Sequence, residues 1–541
     1  MIRPGALKKD EPLVWSTGAG TDVWDFFCAA MTGDLDAIQR LLKKDPSLVR
    51  SQYHYRKPIY FAVREGQLEA TRHLLQQGAN PQDSGADDPL PEIARYRGYT
   101  ELLALLEDTL AEKYHIDPRG EVVAAAIRSR DLQKVKTLLD AEPALLPIGD
   151  AHGNQTIHWA VMTRQPDIID ELLARGADIN ARRPDGARPI QLCNGDYSFR
   201  GWRDVPAEHP VTPRQVLQHL RARGVYVDIC TACYIGDFQR VQELTAEDPS
   251  LANKPDAYVT YYACSGTPIR NAAAGGHKDI VLHLLKIGAD PNLPEEHIAP
   301  YGHALHMAVC NGHRDIVQLL LDHGAYPNVP VESSADTLSA AMRNNDQPMV
   351  ELLCSYGASR KMELLAYYGD IMTAAAVLAV KPELAYDPDA LGAAADEGKD
   401  SFVRLLLHYQ PGLIREVSRA AKTPELTQFL FSKGMDPNYP DWLMVTPLHR
   451  FARAGDVVNA GIFLDHGADI HARDEDISST PLGWAAKYGK IEMVEFLLQR
   501  GARPQLPDDP PWATPLAWAR YKGHTDIVRL LERELPNGSG M

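Results

Sequence analysis

One phrase recurs along this chain and limits what the chain can fold into. Thr446-Pro447-Leu448-His449, Thr480-Pro481-Leu482 and Thr514-Pro515-Leu516 stand at positions 446, 480 and 514, in steps of 34 residues. An Ala-containing segment, a Gly and a second apolar segment follow the first copy, and Gly467-Ala468-Asp469 closes it. A fixed period of this length with a turn signal at its end describes a stack of helix pairs. Each pair has an apolar face that only its neighbours can cover. Residues that recur in every unit therefore serve stacking, and function is expected at surface positions that vary around the repeat.

Composition agrees with such a stack. At 541 residues the chain is too long for one compact core, whereas a stack grows its core with each added unit. Asp+Glu (72) exceed Lys+Arg (56), giving a formal charge of −16. That balance argues against a nucleic acid or an anionic membrane as the main partner. No apolar run reaches the roughly 18 residues a membrane span needs. The basic start, Met1 to Asp10, lacks the apolar segment of a secretory signal. Seven cysteines without a regular framework point to reduced thiols and a cytoplasmic location.

The fullest unit runs from Thr267-Pro268-Ile269-Arg270 through Gly276 and the apolar stripe Ile280, Val281, Leu284 and Leu285 to Gly288-Ala289-Asp290-Pro291-Asn292. Thr267 is expected to cap the first helix, with Pro268 at its first position, where a missing N–H is harmless. Gly276 suits the turn between helices, Gly288 the left-handed end of the second, and Asp290-Pro291-Asn292 a hairpin. These residues resemble the ankyrin repeat family over nearly the whole chain. The resemblance implies an all-α solenoid of stacked helix pairs with short β-hairpin loops. About sixteen units are expected, those near Pro91, Lys361, Asp389 and Arg415 being degenerate. The expected organisation is an N-terminal arm or cap over 1–20, a repeat array over 21–535 with an insertion at 194–210, and a flexible tail at 536–541. Four units end in a Pro phrase (at Pro46, Pro143, Pro249 and Pro382) in place of Gly-Ala-Asp.

Departures from the repeat are the natural places for function. After Cys193 the terminal Gly should come at 209 but is Gly224, an excess of 15 residues. The hairpin before Thr267 is about six residues too long, and the one before His303 about three. By the family's register, hairpin tips and first helices line a concave groove, so these three loops are expected to wall a pocket. Asp196, Tyr197, Arg200 and Trp202 come from the insertion, and Tyr258, Tyr262, Glu296 and Tyr301 from the long hairpins. The same register points Tyr53, His54, Arg56, His152, Asn154, Trp159 and Arg270 inward, and near the C-terminus Trp442, Trp484 and Tyr488. Aromatics with polar tips and Arg dominate binding hot spots, although half of these side chains are expected to be packing.

Chemistry is sparse. Cys230-Thr231-Ala232-Cys233 lacks a second pair at zinc spacing and reads as helix packing, so neither a metal nor a cofactor is expected. His158, His306 and His449 occupy the place where the family's imidazole braces backbone. Asp196, Asp204, Glu208 and His209 share one loop and would serve as acid and base only if burial separated their pKa values. The better expectation is a salt-bridged loop that holds its own shape. The leading functional expectation is a binding scaffold that takes a protein or peptide, preferably basic, on its concave aromatic and Arg-rich face. The alternative is an enzyme or receptor for a small polar, sugar-like ligand between repeats five and nine.

Overall fold

The Thr-Pro pairs start helices as the repeat demands. In the computed structural model, which describes residues 1–83, 85–260, 264–332 and 335–534, the Ala517 N–H donates to Thr514 Oγ1 at 3.1 Å and caps the helix Pro515–Tyr521. Pro at the first position of Pro268–Gly275, Pro447–Ala454 and Pro481–Lys487 needs no N–H partner there. His449 adds a brace. Its Nδ1 accepts the Thr446 N–H at 3.2 Å, and its Nε2 lies 3.2 Å from the Ser479 carbonyl in the next hairpin. His158 repeats this with Gln155 and the Ala181 carbonyl. Burial lowers the His158 pKa to about 3, so the ring stays neutral and the brace needs no charge.

The chain divides into two compact units, Lys9–Ser359 and Met1–Lys8 with Arg360–Met541. Both are stacks of antiparallel helix pairs. In the Lys9–Ser359 unit a shared core runs through successive pairs: Ala272 and Ala273 of one first helix meet Ala304 and Ala308 of the next. Ile280, Leu284, Ile316 and Leu320 fill the layer behind. A two-stranded hairpin pairs Pro330–Val331 with Ala335–Asp336. In the other unit Leu448, Leu482 and Trp518 are fully buried, and the backbone of Ile2 donates to the Trp442 carbonyl at 3.0 Å.

Several elements differ from expectation. At Pro189 the first helix shrinks to a 3-10 turn, Pro189–Leu192. Near Arg415 the chain forms a 3-10 turn, Pro411–Glu416, then leads into Pro424–Ser432, so that unit has no first α-helix. The four Pro phrases become 3-10 turns, as in Pro46–Arg50 and Pro249–Asn253. Thr267 does not cap its own helix. Glu295 of the following hairpin accepts both its N–H (2.9 Å) and its hydroxyl (3.0 Å). A buried carboxylate with free lone pairs outcompetes the weaker local cap.

Leu284 is fully buried between neighbouring pairs. Leu284→Ala is expected to destabilise the Lys9–Ser359 unit by about 2–5 kcal/mol. The measurement is a lower urea midpoint at unchanged m-value.

Candidate functional site

Hairpin tips converge within the Lys9–Ser359 unit. Two glycines permit the closest approaches. Gly153 has φ +77°, and a Cβ there would lie 2.4 Å from Pro184 Cδ in the next hairpin. Gly85 has φ +70°, and a Cβ would overlap the Tyr55 carbonyl. Asn80 then reaches the Pro184 carbonyl (3.3 Å) and Gln82 the Ala151 carbonyl (2.8 Å), so hairpins far apart in sequence touch. The convergence brings early and late repeats together. The Arg50 guanidinium forms a forked pair with Glu296 at 2.9 and 3.1 Å, His297 Nδ1 lies 3.2 Å from the Trp15 carbonyl, and Tyr55 donates to Glu332.

These tips enclose a cavity of about 2200 Å³. All three lengthened loops contribute to its wall: Asp196, Tyr197 and Ser198 of the insertion, 255–260, and Pro294–Tyr301 apart from Ala299. Opposite them stand residues of 12–17, the hairpin around Asp83 and the segment Ile116–Pro118. Among the described residues, twelve carboxylates but only four Arg or Lys side chains line it. Each of the four is paired: Arg50 with Glu296, Lys57 with Asp83, Arg95 with Glu107, and Arg183 with Asp185 and Asp196. Three further carboxylates, Asp117, Glu121 and Asp256, face Arg119, Arg128 and Arg188 behind the wall, so the negative surplus is smaller than the count of lining side chains.

The residues expected at a site fall into distinct places. His152, Asp196, Tyr197, Tyr258, Glu296 and Tyr301 line the cavity. Tyr197 is 78% exposed, with the Arg200 guanidinium 5.2 Å above its ring, and Trp202 is exposed beside them. Tyr53 and Arg56 pair by backbone across the tip formed by His54 and Tyr55, and the Arg56 side chain reaches the Gly85 carbonyl. Asn154 is buried and accepts from Arg183 at 2.7 Å. Arg270 is buried and holds its own long hairpin through the Ser265 (2.7 Å) and Thr260 (3.2 Å) carbonyls. Tyr262 lies outside the described residues. Trp442, Trp484 and Tyr488 belong to the other unit, where Trp442 and Trp484 are buried and the Arg453 guanidinium covers the Tyr488 ring at 4.9 Å.

Two tryptophans have the same task. Trp159 Nε1–H donates to Asp150 (2.7 Å) and Trp484 Nε1–H to Asp474 (2.9 Å). Asp150 also accepts the backbone N–H of His152 and Asn154, and Asp474 those of Ile477 and Ser479. Each indole thus ties a hairpin to the helix behind it.

The polar groups of the insertion are likewise engaged with the loop itself. Asp196 accepts the N–H groups of Ser198 and Phe199 besides Arg183, and Phe199 packs edge-on against Trp159 at 5.4 Å. Asp204 accepts from Arg203 and from the Arg200 N–H; the Arg203 hydrogen bond holds its carboxyl below the usual range. His209 reaches the Arg164 carbonyl. Cys230 and Cys233 are buried and unbridged, and burial raises both thiol pKa values. Among the described residues no three His, Cys, Asp or Glu side chains group to hold a metal ion.

Arg183 and Arg50 organise the cavity and carry no repeat signature. Arg183 sits in the turn Arg183-Pro184-Asp185-Gly186, and burial works against its charge. Asp185 and Asp196 overcome that and raise its pKa. Glu296 is similar: burial would raise its pKa, but hydrogen bonds from His297 and Arg50 lower it to about 2.

Family models and relatives agree with the geometry. The model for ankyrin repeats in three copies matches residues 229–331, 269–363 and 413–508, and the single-repeat model matches 152–184. Similar proteins include the E3 ubiquitin-protein ligase XB3 of Oryza sativa subsp. japonica, 28% identical over 196 residues (33% of this chain, 41% of that protein). Putative ankyrin repeat protein FPV240 of fowlpox virus (strain NVSL) is 26% identical over 125 residues (23% and 30%). Palmitoyltransferase ZDHHC13 of Mus musculus is 25% identical over 138 residues (25% and 22%). The chain spans less than half the length of each of these relatives.

Three expectations follow from the site. Trp159→Phe keeps an aromatic ring but leaves Asp150 Oδ2 with only the long Asn154 amide contact at 3.4 Å, and should lower stability by about 1–3 kcal/mol in denaturant melts. Tyr197→Ala, at an exposed ring, should leave the melt unchanged. Because the Glu296 pKa is depressed from its ordinary 4.5 to about 2, its contribution is fully present above pH 4.5 and is lost as pH falls towards 2. The stability gap between the wild type and Glu296→Gln should close over that window in acid titrations followed by circular dichroism.

Proposed function

Because the chain belongs to the ankyrin-repeat family, we propose that it is a binding scaffold that takes a basic segment of another protein into the cavity of its Lys9–Ser359 unit. One observation carries this reading: a space of about 2200 Å³ whose wall holds three times as many carboxylates as Arg and Lys side chains. Sites for single small molecules occupy about 300–1,000 Å³, so the volume favours a polypeptide segment. The exposed Tyr197 and Tyr301 rings supply flat contacts beside the carboxylates, suited to Lys or Arg through cation–π attraction. Nucleic acid and anionic membrane are disfavoured by the same negative surplus. No helix among the described residues is long and apolar enough to cross a membrane, and cysteines joined by no disulfide suit a cytoplasmic setting. The ligase and transferase activities in the relatives' names are not assigned to this chain, since the matched stretches are under half of those proteins.

A second reading, an enzyme or receptor for a small polar ligand such as a sugar, draws support from the three lengthened loops that border the same cavity. Against catalysis stands the engagement of Asp196, Asp204 and His209 in holding the insertion's shape.

The test is fluorescence anisotropy with a labelled peptide of Gly, Lys and Tyr, and a control in which Glu replaces Lys. The basic peptide should bind with an affinity that falls as salt rises, and the control should not bind. Asp108→Asn and Asp108→Lys should weaken binding in increasing order, the latter roughly two- to fivefold, the range of partly exposed charge pairs. Equal binding of both peptides, or indifference to these substitutions, overturns the reading. A melting shift with saccharides in place of peptide binding would assign the cavity to the small ligand.

A further inference from the structure

The cavity is closed on one side by contacts of a different kind from the rest of its wall. Within 123–225 and within 229–353 consecutive repeats share buried layers, such as Ala272, Ala273, Ala304 and Ala308 with the Ile and Leu side chains behind them. Between the early hairpin Tyr53–Arg56 and the late segments 295–299 and 330–332, polar tips meet. Arg50 meets Glu296 with side chains 52% and 34% exposed, His297 meets the Trp15 carbonyl, and Tyr55 meets Glu332. Polar contacts open to solvent can be exchanged for water, whereas parting apolar layers exposes apolar surface.

Backbone conformation at the joint points the same way. His54 (φ 44°) and Tyr55 (φ 67°) on one side and His297 (φ 65°) on the other occupy the left-handed region. That region is unfavourable for residues with a Cβ, and bulky Tyr is a clear exception there. Among the described residues seven other non-Gly positions share a positive φ, Met444 and Ser478 in hairpins among them, so the conformation marks tight turns as well as ligand clamps and switch segments. The segments leading to the joint are separately anchored. Gln52 donates its N–H to Ser16 (2.8 Å) and its side-chain amide to the Trp15 carbonyl (2.9 Å), and Thr17 donates to the Ser47 carbonyl (2.8 Å). On the late side the Glu332 N–H donates to the Ile298 carbonyl (2.9 Å). Each side can therefore move as a body without unravelling.

We propose that this joint is a gate: Arg50, Tyr55 and Trp15 part from Glu296, Glu332 and His297 to admit a guest segment, then close behind it. The inference rests on the reading of the cavity as a guest site, and adds that the guest is encircled rather than laid on an open groove. A segment within a folded protein has no free end to thread, so it needs the gate.

The test uses the full chain and separates the two readings. Amide hydrogen exchange needs no guest. Arg50→Glu should speed exchange at 12–17 and 295–299 and leave the Ala304–Cys310 helix unchanged, and adding Glu296→Arg should restore protection. Unchanged exchange at 295–299, or no restoration in the double variant, overturns the gate whatever the cavity binds. The second arm joins Arg50→Cys to Glu296→Cys with a short bis-maleimide, with linker-treated wild type as the control for native cysteines. The labelled Gly/Lys/Tyr peptide, circularised so that it has no ends, should associate at least about tenfold more slowly with the linked protein. An unchanged rate overturns the gate and leaves the basic-guest reading standing. Failure of that peptide to bind even the unlinked protein overturns the basic-guest reading, and the exchange arm then decides the gate alone.

Discussion

Small side chains in the first helices set the geometry on which the rest depends. Ala272, Ala273, Ala304, Ala308, Ala340 and Ala341 are almost fully buried where one first helix meets the next. The second helices instead meet through Ile280, Leu284, Ile316, Leu320 and Leu353. First helices are also shorter: Ala304–Cys310 has 7 residues, and its partner Arg314–Asp322 has 9. Each repeat is thus a wedge, thin at the first helix and hairpin and thick at the second helix. Stacked wedges curve, and tips on the thin side converge. Hydrophobic packing drives the curvature, and the polar contacts between hairpins record it.

That cause explains what could be read along the chain and what could not. Helix starts at Thr446, Thr480 and Thr514 depend on a few adjacent residues, so the period gives them directly. The Pro phrases are equally local, and Pro411-Gly412 shows how a fifth turn of that kind hides when its neighbours are unlike the other four. Curvature is a sum of small angles over many repeats. No short stretch contains it, which is why the meeting of Arg50 with Glu296, residues 246 apart, leaves no trace in the spacing. The three long loops were legible as departures and do border one space, but the segments facing them had no unusual length to mark them.

Trp159 and Trp484 show a second limit. In the family's register both sit on the inner face, where an indole is as suited to a ligand as to packing. The difference lies in a partner ten or fewer residues upstream, Asp150 or Asp474, which offers an oxygen to the indole while its carboxylate gathers backbone N–H groups. Arg270 is ambiguous in the same way, because its guanidinium fits the carbonyls of its own hairpin as well as it would fit a guest. In a repeat protein a hot-spot residue and a hairpin fastener have the same chemistry, and only the hydrogen-bond partner distinguishes them.

The acidic charge needs the same sorting. Asp150, Asp185, Asp256, Asp441 and Asp474 each accept backbone N–H groups two to five residues onward, fixing a hairpin turn. These carboxylates recur because the hairpin recurs, so part of the −16 formal charge is architecture. A basic guest would respond to the remainder: carboxylates such as Asp108 that face the cavity from helices and loop flanks without serving a turn. Their field adds to that of the fasteners, since a turn-fixing carboxylate keeps its charge while accepting hydrogen bonds. Asp185 and Asp256 line the cavity as well as fixing turns, so making hairpins adds carboxylates to its wall; under the proposed reading, positions outside the repeat such as Asp108 would add the selectivity.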